Sequence, residues 1–203
     1  MRVGHFCKSL IFVFLLLCSS HLLAATSIPF QFRDGMIWVK VAVAGHDQPL
    51  SFLLDSGAGE SVVDLTAARH LGLPFGERQT VDGVYSRTAA YQVKNFAGRI
   101  ADAPLPTSML AVDLSNLRAV CHQRVDGLLG ADFFRNHIVQ VDFADETIRL
   151  LQRSELDSAG CEVLPLEARN DTFCARISVD GNPPEWLRLD TGCLLYTSPS
   201  PRD

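Results

Sequence analysis

Apolar residues recur with a strand-like rhythm through most of the chain, and polar or glycine-rich breaks separate the runs. Met36–Val43 is a β-branched and apolar stretch that ends at Ala44-Gly45-His46-Asp47-Gln48-Pro49. Leu50–Leu54 follows, and the two runs predict a hairpin that delivers Asp55 at its exit. Leu65–Leu71 predicts a short helix, with Asp64 as its N-cap and Gly72 at its end. Thr80–Tyr85 and Ser86–Val93 predict a second hairpin with a tip at Asp82-Gly83, a candidate mobile flap. Phe96–Met109 continues as strand-like pieces broken by Pro104 and Pro106. In Val125–Phe134 two large apolar residues precede Gly130, and a short helical turn follows. Val139–Phe143 and Thr147–Leu151 alternate about Ala144-Asp145-Glu146 as a further hairpin. Asp126, Asp132 and Asp142 read as turn and surface residues, and His70 as a surface residue on the short helix.

After a polar connector near Ser154–Gly160 the pattern starts again. Phe173–Val179 predicts a strand, Asp180–Pro184 a turn, and Trp186–Leu189 a strand that runs into Asp190-Thr191-Gly192. The earlier copy is Phe52-Leu53-Leu54-Asp55-Ser56-Gly57-Ala58-Gly59. Gly45 precedes Asp55 by 10 positions, and Gly181 precedes Asp190 by 9. A single Asp-Ser-Gly is usually an ordinary surface turn. Two strand-loaded Asp-(Ser/Thr)-Gly turns, each preceded by the same hairpin, are an internal repeat. In each, an apolar strand carries an acid to its end and a glycine lets the chain fold sharply over it. A hydroxyl side chain is available to fix that turn.

Composition narrows the classes of partner. The chain has 203 residues and is 47% hydrophobic, with 18 Lys and Arg against 23 Asp and Glu. Without Arg2, Lys8, Arg202 and Asp203 the balance is 15 against 22, a net of −7. No basic stripe suggests nucleic acid as a partner. Residues 1–25 combine a basic start, an apolar Leu10–Cys18 core and the small pair Ala24-Ala25, which predicts a secretory signal peptide and an exported, periplasmic or secreted product. That core is shorter than the roughly 20 residues of a spanning helix, so no stable membrane span is expected after cleavage. Residues 193–203 read as the translation of a common transposase sequencing adapter and are set aside. On that expectation the native sequence past Gly192 is missing.

Three cysteines then remain, Cys121, Cys161 and Cys174, and their spacing fits no zinc pattern. Export permits one disulfide. The weak preference is Cys161 with Cys174, and the sequence leaves the pairing open.

The chain resembles the aspartic proteases, specifically the bacterial retropepsin-like proteins. Asp55-Ser56-Gly57-Ala58, Leu128-Leu129-Gly130 and Asp190-Thr191-Gly192 carry the resemblance, which spans roughly Gly35 to Gly192. It implies an all-β fold: a closed β-barrel lobe with a short helix over residues 30–155, then the start of a similar lobe over 160–192. It implies an aspartic endopeptidase acting on peptide or protein substrates without cofactor or metal. Asp55 and Asp190 would be the catalytic pair, with Ser56, Gly57, Thr191 and Gly192 forming the active-site turns. Leu128-Leu129-Gly130 would pack behind the Asp55 loop. A flap around Gly83, with Tyr85 as its aromatic, would close over an extended peptide.

Two carboxylates about 3 Å apart cannot both ionise, so such a pair shares one proton. The alternative source of the second acid is Asp55 of another copy, in a homodimer. The alternative function is a catalytically silent peptide-binding or scaffold module on the same fold. A metal-dependent hydrolase is disfavoured by the lack of clustered His.

Overall fold

Two apolar runs at the start of the chain are buried on both faces, and the fold grows outward from them. In the computed structural model, which describes residues 27–82 and 87–192, they form β2 (Met36–Val43) and β3 (His46–Leu54), preceded by β1 (Ser27–Arg33). The three pair antiparallel as a meander. On β2, Val39, Val41 and Val43 enter one core with Phe52 and Leu54 of β3, while Met36 and Trp38 enter another with Leu53. Burial on both faces explains why both strands read as continuous apolar stretches rather than alternating ones.

Next come β4 (Val62–Asp64), α1 (Leu65–His70), and the hairpin of β5 (Phe75–Asp82) with β6 (Arg87–Val93). The chain continues through β7 (Gly98–Ile100), β8 (Ala103–Pro104) and β9 (Met109–Val112) to α2 (Ser115–Cys121). Then follow β10 (Gly127–Leu129), α3 (Ala131–Asn136), and the hairpin of β11 (Ile138–Asp142) with β12 (Thr147–Leu151). These strands form one sheet in the order β11-β12-β1-β2-β3-β10-β4-β9-β6-β5, with β7 on β2 and β8 on β7.

The all-β expectation holds. The expected closure does not: among the described residues no ladder joins β5 to β11, so the sheet coils over its core and stays open. The larger core gathers Val41, Phe52, Leu54, Val63, Phe96, Leu129, Phe133 and Ile148. The smaller one, with Trp38, Leu53, Leu110 and Val125, is covered by Leu114 and Cys121 at the two ends of α2.

Beyond a 3-10 turn at 153–155 and an exposed connector, β13 (Glu167–Arg169), β14 (Thr172–Ile177) and β15 (Glu185–Arg188) form a separate antiparallel sheet. The guanidinium of Arg169 stacks 4.5 Å over the Trp186 ring on this sheet. The sheet leaves Ile177, Trp186 and Leu187 more than a third exposed, and Val163 of the connector is 79% exposed. Cys174, buried on β14, faces Glu167 and Arg188 across its two ladders, whereas Cys161 lies exposed in the connector. The Cys161–Cys174 disulfide therefore does not form, and all three described cysteines are free. Residues 1–25, residues 193–203, and the flap-tip residues Gly83 and Tyr85 lie outside the described residues.

Asp126 corrects the surface reading. It is 4% exposed, accepts from the Ser51 N–H at 2.8 Å, and pairs with Arg124 at 2.8 Å. Asp142 behaves as expected, its carboxylate closing the β11–β12 turn by accepting from the Ala144 and Asp145 N–H groups. Asp64 exceeds its expected capping role. It accepts from the Thr66 and Ala67 N–H groups at the start of α1, from the Leu114 N–H, and from Arg118 at 3.0 Å. One fully buried carboxylate thus ties β4, α1 and α2 together. Its removal strands several donors in a dry site, and Asp64→Ala is expected to lower unfolding free energy by about 3 kcal/mol. Urea denaturation followed by circular dichroism measures this, and a loss no larger than that of an exposed Asp→Ala control contradicts it.

Candidate active site

The first acid is set by the strand that carries it. β3 ends at Leu54, and β10 lies parallel to it with Leu128 opposite Leu53 and Leu129 opposite Leu54. The Leu129 carbonyl accepts from the Asp55 N–H at 2.9 Å, fixing the backbone where the acid begins. Past Leu129 the chain passes close behind the loop, and the Ala131 N–H donates to the Ala58 carbonyl at 2.7 Å. A Cβ on Gly130 would fall 2.5 Å from the Glu60 carbonyl carbon, so only glycine fits there. Leu128-Leu129-Gly130 thus packs behind the Asp55 loop.

The loop folds back on its own acid. The Gly57 and Ala58 N–H groups donate to Asp55 Oδ1 at 2.9 and 3.2 Å. On the second sheet the Gly192 N–H donates in the same way to Asp190 Oδ1 at 2.9 Å. The two turns are joined reciprocally. Ser56 Oγ donates to the Leu189 carbonyl at 2.8 Å and accepts from the Thr191 N–H at 3.1 Å. Thr191 Oγ1 donates to the Leu54 carbonyl at 2.7 Å and accepts from the Ser56 N–H at 3.1 Å. Each hydroxyl therefore satisfies one donor and one acceptor of the opposite turn, which a hydroxyl can do and an alkyl or amine side chain cannot.

The acids meet across this junction. A Cβ built on Gly57 would sit 2.4 Å from Asp190 Cγ, and one on Gly192 would sit 2.4 Å from Asp55 Cγ. The carboxyls face each other over two glycines that leave them room. Burial first, then the nearby negative Asp190 carboxylate and the hydrogen bond between the two carboxyls, raise the Asp55 pKa from 3.8 to about 6. The Gly57 and Ala58 N–H groups oppose that rise without cancelling it. The arrangement can hold one proton between two acids, so one can give a proton while the other takes one. Among the described residues no group of three or more His, Cys, Asp or Glu is placed to hold a metal ion.

The structure brings together Asp55, Ser56, Gly57, Asp190, Thr191 and Gly192. Of the hairpin expected to form a flap it describes only the two arms, β5 and β6. It also adds residues that the sequence reading passed over. Ser61 Oγ donates to Asp132 Oδ1 at 2.7 Å and accepts from the Gly130 N–H at 3.0 Å, bracing the chain behind the loop. Arg188 donates to the Gly57 carbonyl at 3.2 Å, and Arg135 to the Gly59 carbonyl at 2.9 Å. No local pattern marks any of these, because each contact joins residues far apart in the chain.

Comparison with known proteins follows the same line. Residues 39–133 match the family model described as aspartyl protease. Among solved structures, the retroviral protease-like domain of Ddi1 from Leishmania major is 17% identical, with a TM-score of 0.41, covering 60% of this chain and 98% of its own. A retropepsin-like aspartic protease from Rickettsia conorii is 16% identical, with a TM-score of 0.45, covering 64% of this chain and 99% of its own. No curated protein matches the chain.

The raised Asp55 pKa has a consequence for stability. Below pH 3.8 the carboxyl is protonated folded or unfolded and contributes nothing. Between 3.8 and about 6 the unfolded chain releases a proton that the folded one keeps, so stability falls as pH rises through that window. Asp55→Asn removes this dependence, and its stability relative to wild type should rise by roughly 2–3 kcal/mol between pH 4 and 7. Thermal unfolding at a series of pH values checks this; a constant difference between the two proteins contradicts it.

Proposed function

We propose that the protein, whose residues 39–133 match the family model described as aspartyl protease, is an aspartic endopeptidase whose Asp55 and Asp190 act as one acid–base pair. A water held between the carboxyls loses a proton to the ionised partner as its oxygen attacks the scissile carbonyl. The protonated partner donates to the carbonyl oxygen, and the tetrahedral intermediate then collapses with transfer of a proton to the leaving amine. The single observation that carries this reading is the reciprocal bonding of Ser56 and Thr191, which opposes the two acids within one chain. The same observation favours an intrachain pair over an Asp55–Asp55 homodimer.

A flap built on the β5–β6 hairpin would close over an extended peptide held by strand-like hydrogen bonds. The basic and apolar leader supports export, with the enzyme acting in the periplasm or outside the cell.

The test is peptide cleavage by the protein expressed from its complete reading frame. Activity requires one proton shared by the pair, so the rate should fall as pH rises through about 6, where Asp55 loses its proton. Asp55→Asn and Asp190→Asn should each lower kcat by at least about 10²–10⁴-fold with little change in KM. Cleavage undiminished in either variant rejects the pair. Peptide binding without cleavage by the wild-type protein transfers the assignment to a silent binding module.

A further inference from the structure

The hydroxyl exchange between Ser56 and Thr191 is confined to one small patch. Four hydrogen bonds clustered about two residues fix a point but restrain rotation about it only weakly. The second sheet meets the Asp55 turn at this point, and its two outer strands, β13 and β15, are exposed along their whole length. Something else has to set the angle at which Asp190 meets Asp55.

Arg135, on α3, is placed to do this. Its guanidinium donates to the Gly59 carbonyl at 2.9 Å and to the Asp171 carbonyl at 3.1 Å, and Nη1 lies 3.9 Å from Asp171 Oδ1. Gly59 belongs to the loop that carries Asp55. Asp171 is at the tip between β13 and β14, where Asn170 and Asp171 both have positive φ, at 47° and 60°. The two segments approach closely under the guanidinium, since a Cβ on Gly59 would lie 3.1 Å from Asp171 Cβ. Arg188 reaches across in the opposite sense, from the second sheet to the Gly57 carbonyl. The planar fork of an arginine can serve two carbonyls at once in a fixed geometry, which a lysine ammonium on a flexible stem does less well.

We propose that Arg135 is a positioning residue for the acid pair, clamping the 170–171 tip of the second sheet against the Gly59 loop so that Asp190 stays opposed to Asp55. The inference rests on the reading of Asp55 and Asp190 as a pair. The charged groups around the junction are Glu60, Asp132 and Arg135 on the larger sheet and its helix, with Asp171, Arg188 and Asp190 on the other side. Glu60, Asp132, Arg135 and Asp171 line a common polar cleft beside Ser61. Loss of the clamp lets Asp190 swing away from Asp55, which both rehydrates the Asp55 carboxyl and weakens the repulsion that keeps it protonated.

The experiment is a carbon-13 NMR titration of the aspartate carboxyls in the full chain, comparing wild type, Arg135→Met and Arg135→Lys, with Asp190→Asn as the reference for a lost partner. In Arg135→Met the Asp55 midpoint should fall from about 6 by roughly one unit, toward the Asp190→Asn value. Arg135→Lys should lie between Arg135→Met and wild type. A purely structural arginine would lower the melting temperature and leave the midpoint in place, and an unchanged midpoint in Arg135→Met overturns the proposal. Cleavage by the same proteins should show kcat reduced and KM held within a few-fold. If wild type cleaves no peptide, the functional reading fails while the titration still decides the role of Arg135.

Discussion

Opposing two carboxyls in a protein interior is unfavourable, and this molecule manages it through two hydroxyls that trade backbone hydrogen bonds across a seam. Ser56 and Thr191 are each within 3.1 Å of both a donor and an acceptor on the other turn. No charge takes part in the exchange, which is made entirely by hydroxyls and backbone groups. Everything else near the site supports this arrangement. β10 backs the Asp55 loop, Gly57 and Gly192 clear space for the opposite carboxyl, and Arg135 and Arg188 reach over the seam in opposite directions.

The order of energies explains why Asp55 responds differently from a surface carboxyl. Backbone N–H groups at 2.9 and 3.2 Å favour ionised Asp55, yet burial and the facing Asp190 outweigh them. Elsewhere the chain buries acids with partners of opposite charge. Asp64 has Arg118 and three N–H donors, and Asp126 has Arg124 and the Ser51 N–H. Those pairings are structural, and Asp55 stands apart because its nearest charged neighbour has the same sign.

Features written in local sequence were legible without coordinates. The two acid turns could be read because tripeptide and preceding strand lie within about ten residues, and because they occur twice. The cap of α1 could be read because Asp64 accepts from N–H groups two and three positions along. Features made by distant contacts were hidden. α2 has no side-chain cap, starting from Leu114, and its apolar residues find partners only when Met36 and Trp38 arrive from another strand. Asp126 looks like a turn residue until Ser51, 75 positions earlier, comes beside it. Arg135 contacts residues 76 and 36 positions away, and no pattern in its own helix marks it. The openness of the sheet was likewise invisible, since alternation fixes which side chains face inward but not which edges meet.

The bonds between Ser56 and Thr191 join residues 135 positions apart, enclosing β4 to β12 of the larger sheet and the connector. Closing so long a loop carries an entropic cost that grows with its length and is met only after local hairpins have formed. The larger sheet can therefore complete its core before the second acid turn docks against the first. Chain order thus favours a late meeting of the two acid turns, after the larger sheet has its native shape.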